Sequence, residues 1–172
     1  MAESSNTSTG VGKLAALAAL ASFVLHVVGF STTHWYDNDF THTGLWQTCR
    51  RLLGTTVCSE VDLSDIIKEF LEDDMSWLKA TQAFEVLGFI AAVVALILII
   101  LYIFVPATSG KRIVFILSIL ACFAAAGCIL LGIIIYGSEV KHNLSWSFAL
   151  CCIAGIIFAI SGLLLVVDMC KR

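Results

Sequence analysis

Among the acidic and basic residues, only His26 and Glu85 lie deep inside the apolar stretches of the chain. An imidazole and a carboxylate there can exchange a proton, act as acid and base, or pair with each other. Ionisable side chains in hydrocarbon turn inward and find partners, because an unsatisfied charge is costly. Both residues sit about five positions in from the same end of their stretches, so they share a depth and are expected to face each other as a hydrogen-bonded or ionic pair. A structural brace fits this setting better than a proton relay. No nucleophile–base or metal-ligand spacing accompanies the pair, and no stretch has the interrupted helix of a transporter site.

A second group lies outside the apolar stretches. Cys49 and Cys58 stand with eight residues between them, in a loop flanked by two such stretches. Either they form a disulfide in an oxidising compartment, or they join His34 and His42 as metal ligands. The histidine spacing follows no zinc pattern, and an oxidising compartment works against thiolate ligands. The disulfide is therefore expected, with no metal and no cofactor, and the chain is not expected to be an enzyme. A formal net charge of −3 gives no basis for nucleic-acid binding.

The elements that must position these residues follow from composition. A chain of 172 residues that is 59% hydrophobic is too apolar for a soluble domain. Four stretches are long enough to cross an apolar core ~30 Å thick, namely 14–30, 80–105, 113–136 and 146–167. For the first, a cleaved signal peptide is the rival, with Gly29 and Ser31 as small residues near a cleavage position. Four spans make a single tetraspan domain. Its other parts are a polar tail 1–13, a long loop 31–79, a turn 106–112, a short loop 137–145 and a tail 168–172. Lys13, Lys111, Arg112, Lys171 and Arg172 balance Arg50, Arg51, Lys68, Lys79 and Lys141 in number, but the first set is packed close to the spans. That density and the disulfide place both termini in the cytoplasm and the long loop outside, in the plasma membrane.

Within the spans, small residues recur four apart at Ala15/Ala19, Ala18/Ser22, Ser118/Cys122, Ala121/Ala125 and Gly155/Ala159. Such residues let helix backbones approach closely, which predicts a tight four-helix bundle. In the long loop, Thr43–Cys49 and Thr55–Val61 read as a strand pair closed around Gly54. Closing so short a loop by a disulfide contributes roughly 2.5–3 kcal/mol in the chain-entropy picture. Leu63, Ile66, Ile67, Phe70 and Leu71 fall at helical spacing, with Asp62 or Ser64 as cap. Trp35, Tyr36 and Trp46 suggest an aromatic cluster at the lipid headgroups.

Trp35, then Gly44-Leu45-Trp46, then Cys49 and Cys58 resemble the signature of the peripheral myelin protein, epithelial membrane protein and claudin superfamily. The likeness extends to Trp77-Leu78-Lys79-Ala80-Thr81-Gln82-Ala83 at the second span and Ser109-Gly110-Lys111-Arg112 before the third. Gln82 stands where claudins usually carry arginine, and Met169-Cys170-Lys171-Arg172 is no PDZ ligand. The chain thus resembles the myelin/epithelial branch, or a claudin-like invertebrate member. The resemblance implies an all-α membrane protein: a left-handed four-helix transmembrane bundle with a small extracellular antiparallel β-sheet and a short extracellular helix. It also implies a fifth strand from Glu139–Asn143. Family members seal or pore junctions, organise membrane adhesion, or accompany ion channels, and none is an enzyme.

The expected function is therefore cell–cell contact, junction or membrane organisation through the extracellular sheet. The alternative is an auxiliary subunit of an ion channel or receptor. Expected partners are lipid, a second copy of the chain within or across membranes, or such a channel or receptor. Trp35 and Trp46 would anchor the sheet, and Leu52 and Leu53 would contact a neighbour. The loop 31–77 carries nine acidic against three basic residues, net −6, which would favour cations if the protein lined a pore. Cys122, Cys128, Cys151 and Cys152 read as small apolar residues within spans. Cys170 beside Lys171 is a candidate for palmitoylation. Asn143-Leu144-Ser145 is a glycosylation sequon, whereas Asn6 would lie in the cytoplasm unmodified.

Overall fold

A computed structural model describes residues 10–52, 54–60, 76–105 and 111–171. Four long helices dominate it: α1 Gly10–Ser31, α2 Ser76–Phe104, α3 Arg112–Glu139 and α4 Trp146–Lys171. Each contains every described residue of the corresponding apolar stretch except Val105 and runs past it into polar residues at one end or both. Hydropathy marks where lipid ends, whereas the backbone keeps its hydrogen bonds until a residue leaves helical geometry. All four are long and apolar enough to cross a membrane. Their outer faces are covered by large aliphatic side chains such as Leu17, Ile97, Leu120 and Leu163. A helix that is apolar all round has no polar face to offer water.

The buried side of each helix is made differently. Along α1 the buried positions are Gly12, Ala15, Ala19, Ser22, His26 and Gly29. Along α2 they are Leu78, Thr81, Glu85, Gly88, Ala92, Ala95, Ile99 and Tyr102. Steps of three and four alternate strictly, a mean period of 3.5 that favours left-handed crossing of neighbouring helices. On α4 the same alternation runs through Ser147, Cys151, Ala154, Phe158, Ser161, Leu165 and Asp168. On α3 a second residue joins at several turns, as at Ser118/Ile119 and Ala125/Ala126, because this helix packs extensively on both α2 and α4. The helices form a ring in chain order, with α2–α3 and α1–α4 as the broadest contacts and α3–α4 and α1–α2 closing it. Of the small-residue pairs, Ala15/Ala19 and Ser118/Cys122 lie wholly in the seam, while Ala18, Ala121 and Ala159 are only partly buried. A spacing of four alone follows one side of a seam whose steps alternate.

Polar side chains tie α1 to α4. Ser22 donates to the Ala154 carbonyl at 2.5 Å and Ser161 to the Ala15 carbonyl at 2.8 Å. The crossed numbering shows that the two helices run antiparallel. Such bonds contribute about 0.5–2 kcal/mol each inside a bilayer.

At one end of the bundle sits an antiparallel meander of β1 Tyr36–Asp37, β2 Thr41–Thr43, β3 Gln47–Leu52 and β4 Thr55–Glu60, in sequence order. Cys49 and Cys58 face each other across β3 and β4 and are joined by a disulfide. Gly54 at the hairpin turn has φ of 86°, a conformation glycine tolerates and other residues rarely adopt. Two expectations are corrected. Gly44-Leu45-Trp46 is the turn between β2 and β3 rather than part of a strand, because Leu45 and Trp46 leave the ladder to pack onto the helix ends. In place of a fifth strand at Glu139–Asn143 there is a single bridge, Tyr36 to Leu144: α3 takes Glu139, and Asn143 has a φ of 60°, outside extended geometry. The helix expected over Leu63–Leu71 lies outside the described residues.

Replacing Ala125, fully buried in the seam, by Leu is expected to destabilise the bundle by about 1–3 kcal/mol. Leu131→Ala, on the outer face, is expected to stay within about 0.5 kcal/mol. Reversible unfolding in detergent micelles measures both.

Candidate functional site

The residues singled out on chemical grounds fall into two places, the seat of the sheet and a buried cluster beneath it. The seat is built around Trp35, which is fully buried. Its indole donates to the Gly29 carbonyl at 2.8 Å, at the end of α1. Its ring meets Tyr136 of α3 edge-on at 4.9 Å and Phe148 of α4 at 5.7 Å. Its backbone bonds Thr43 of β2 on one side and Ser145, just before α4, on the other. Trp46 donates to the Phe30 carbonyl at 3.1 Å and packs edge-on against the Phe30 ring. Gln82 of α2 donates to the Leu45 carbonyl at 2.6 Å. Every helix thus holds the sheet through the Trp35 and Gly44–Trp46 segments.

Gly44 has a steric reason to be glycine. A Cβ there would fall 2.5 Å from the Thr32 carbonyl oxygen and 2.7 Å from Thr33 Cα, both backbone atoms that cannot yield. The expected headgroup cluster is therefore divided. Trp35 is a buried keystone, Tyr36 is half-buried in β1, and Trp46 keeps an exposed edge.

On the sheet itself, Phe40, Leu52 and Val57 are exposed, Phe40 to 73%. Leu53 lies outside the described residues. His42 lies across the ladder from Cys49 and stacks on His34 at 4.6 Å, and His34 stacks in turn on Trp146. The structure therefore does bring His42 close to both cysteines, but their sulfurs are bonded to each other. Partial burial, then the neighbouring His34 and the Arg51 guanidinium, hold the His42 imidazolium below its ordinary pKa of 6.5, with Asp37 opposing. Arg51 reaches Asp37 at 3.7 Å, an exposed pair of small energetic weight. Asn143 is exposed with a positive φ of 60°, and Cys170 is exposed at the far end of α4.

One turn below the Trp35–Gly29 bond lies the second place. His26 Nδ1 stands 3.6 Å from Glu85 Oε2, both side chains being wholly buried. That is beyond hydrogen-bond reach, and none of the four side-chain nitrogen and oxygen atoms makes a hydrogen bond. Cys151 of α4 joins them, its sulfur within 4.8 Å of the ligating atoms of both. A Cβ on Gly132 of α3 would fall 2.8 Å from Glu85 Oε1, so the bare backbone there makes room for the carboxylate.

Cys151, Gln82, Tyr136, Phe148 and Phe40 were not among the expected site residues. Cys151 is one of two adjacent cysteines in an apolar helix, and only its position at the seam distinguishes it from Cys152. Gln82 did carry a signal, as a polar side chain one turn inside a span.

With this geometry in view, residues 13–165 match the family model described as PMP-22/EMP/MP20/Claudin. No curated protein matches the chain.

Trp35→Ala is expected to cost about 3–5 kcal/mol, seen as a lowered unfolding midpoint in detergent and faster proteolysis of the sheet. Because His42 binds its proton less readily in the fold than in the unfolded chain, its contribution is fully present above pH 6.5. It is lost as pH falls below that value. The sheet's unfolding midpoint should drop between pH 7 and pH 5, and His42→Asn should flatten the drop; thermal scans across that range measure it.

Proposed function

The chain belongs to the PMP-22/EMP/MP20/Claudin family, and from that membership we propose a non-catalytic role in cell–cell contact or membrane organisation, carried by the sheet. The family and the four apolar helices make it a multi-pass membrane protein. In our reading both termini face the cytoplasm of a plasma-membrane protein. The sheet then lies outside the cell, which agrees with the compartment a disulfide requires. The bundle serves as a rigid post, and the sheet is the working surface.

One observation carries this reading. The sheet is locked to all four helices from beneath, yet Phe40, Leu52 and Val57 remain exposed on it. A small sheet has little apolar surface to spare, and exposed large apolar side chains on a rigid platform mark a surface that meets a partner. The occupant we favour is a second copy of the chain, because assembly with itself needs no further component and members of the family oligomerise.

The experiment is expression in cells that lack junctions, followed by freeze-fracture imaging and native mass measurement of the detergent-extracted protein. Intramembrane strands or homo-oligomers support the reading. A discrete stoichiometric complex with a larger channel or receptor, with no self-association, replaces it by the auxiliary-subunit alternative. Phe40→Asp combined with Leu52→Asp is expected to weaken self-association about tenfold or more. As exposed positions they should shift the unfolding midpoint little.

A further inference from the structure

His26, Glu85 and Cys151 form a buried cluster within the bundle that the contact role does not use. We propose that they form an intramembrane zinc site, independent of what the sheet binds.

Three helices each supply a ligand of a type zinc accepts: an imidazole from α1, a carboxylate from α2 and a thiolate from α4. The fourth helix supplies space at Gly132, against which the Glu85 carboxylate lies. Gly29 does the same for Cys151, since a Cβ there would fall 2.6 Å from its sulfur. Two bare backbone positions therefore flank the two anionic ligands.

The ligating atoms lie within 4.8 Å of one another. Tetrahedral zinc with bonds of about 2.0–2.3 Å sets ligand–ligand edges of roughly 3.3–3.8 Å. Side-chain adjustments of about an ångström close that gap, with no helix movement. The charges also balance. Zinc(II) with one thiolate, one carboxylate and a neutral imidazole is neutral overall, which a low-dielectric interior requires. Binding releases the thiol proton, together with the carboxyl proton if Glu85 holds one.

The side-chain nitrogens of His26 and oxygens of Glu85 are buried with no hydrogen bond, and leaving such groups unsatisfied is costly. A bound cation satisfies one atom of each residue and ties three helices at one point. The three side chains are themselves fully buried, one turn below the Trp35–Gly29 bond, so the metal would enter as the bundle closes.

The test is zinc content of the full chain, expressed with zinc supplied and purified in detergent with its disulfide intact. About one equivalent per chain is expected to survive gel filtration, and His26→Ala or Cys151→Ala should lower it about tenfold or more. Cys122→Ser, Cys152→Ser and Cys170→Ser should keep it. Expression with cobalt(II) instead should give a near-ultraviolet thiolate-to-cobalt band that Cys151→Ser abolishes. If the ligand variants do not fold, the wild-type stoichiometry and the cobalt band decide. Zinc below roughly a tenth of an equivalent in the wild type, or a cobalt band that survives Cys151→Ser, overturns the site.

Discussion

The indole of Trp35 bonded to the Gly29 carbonyl is the contact on which the rest of the architecture depends. A four-stranded sheet this small cannot bury a core of its own, and most of β3 and all of β4 are exposed. It borrows one from the helices. Trp35 fills the space between the ends of α1, α3 and α4, and the Gly44–Trp46 turn closes over it. Removing the ring would leave a void, and the backbone bonds to Thr43 and Ser145 would lose their fixed point. The disulfide acts on a different scale. It holds β3 against β4, but it does not hold either strand to the bundle.

Inside the membrane the constraint is contact distance rather than water. Helices surrounded by lipid gain no hydrophobic free energy by touching, so close packing and a few hydrogen bonds must suffice. This explains the contrast between the two surfaces, with Leu, Ile and Val dominating outside and Ala, Gly, Ser and Cys lining much of the inside beside a few large residues. It also explains why His26 and Glu85 can be accommodated at all. A seam of small residues leaves room for two large polar side chains at one level, with Gly132 facing the Glu85 carboxylate.

Much of this was legible in the residues. Four spans follow from the apolar runs, Trp35, Gly44 and Trp46 mark the seat of the sheet, and the two cysteines mark its outer hairpin. The shared depth of His26 and Glu85 could be read from their distances to the span ends. What could not be read was registry across helices. Cys151 approaches His26 only because α1 and α4 are antiparallel neighbours, and nothing in its own surroundings sets it apart from Cys152. The strand preference of tryptophan points to a strand at Trp46, whereas its ring belongs to the helix end. In place of the fifth strand, α3 outlasts its apolar residues to Glu139 and the left-handed backbone at Asn143 breaks the extended run.

The pairing of α1 with α4 has a consequence for biosynthesis. The two serine bonds that join them span 132 and 146 positions of the chain. Ser22 of α1 must therefore wait in the bilayer, unmatched, until the ribosome has delivered α4. Chaperones that survey polar groups in lipid would meet an incomplete molecule throughout translation. Completion of the bundle would depend on α4 docking beside α1.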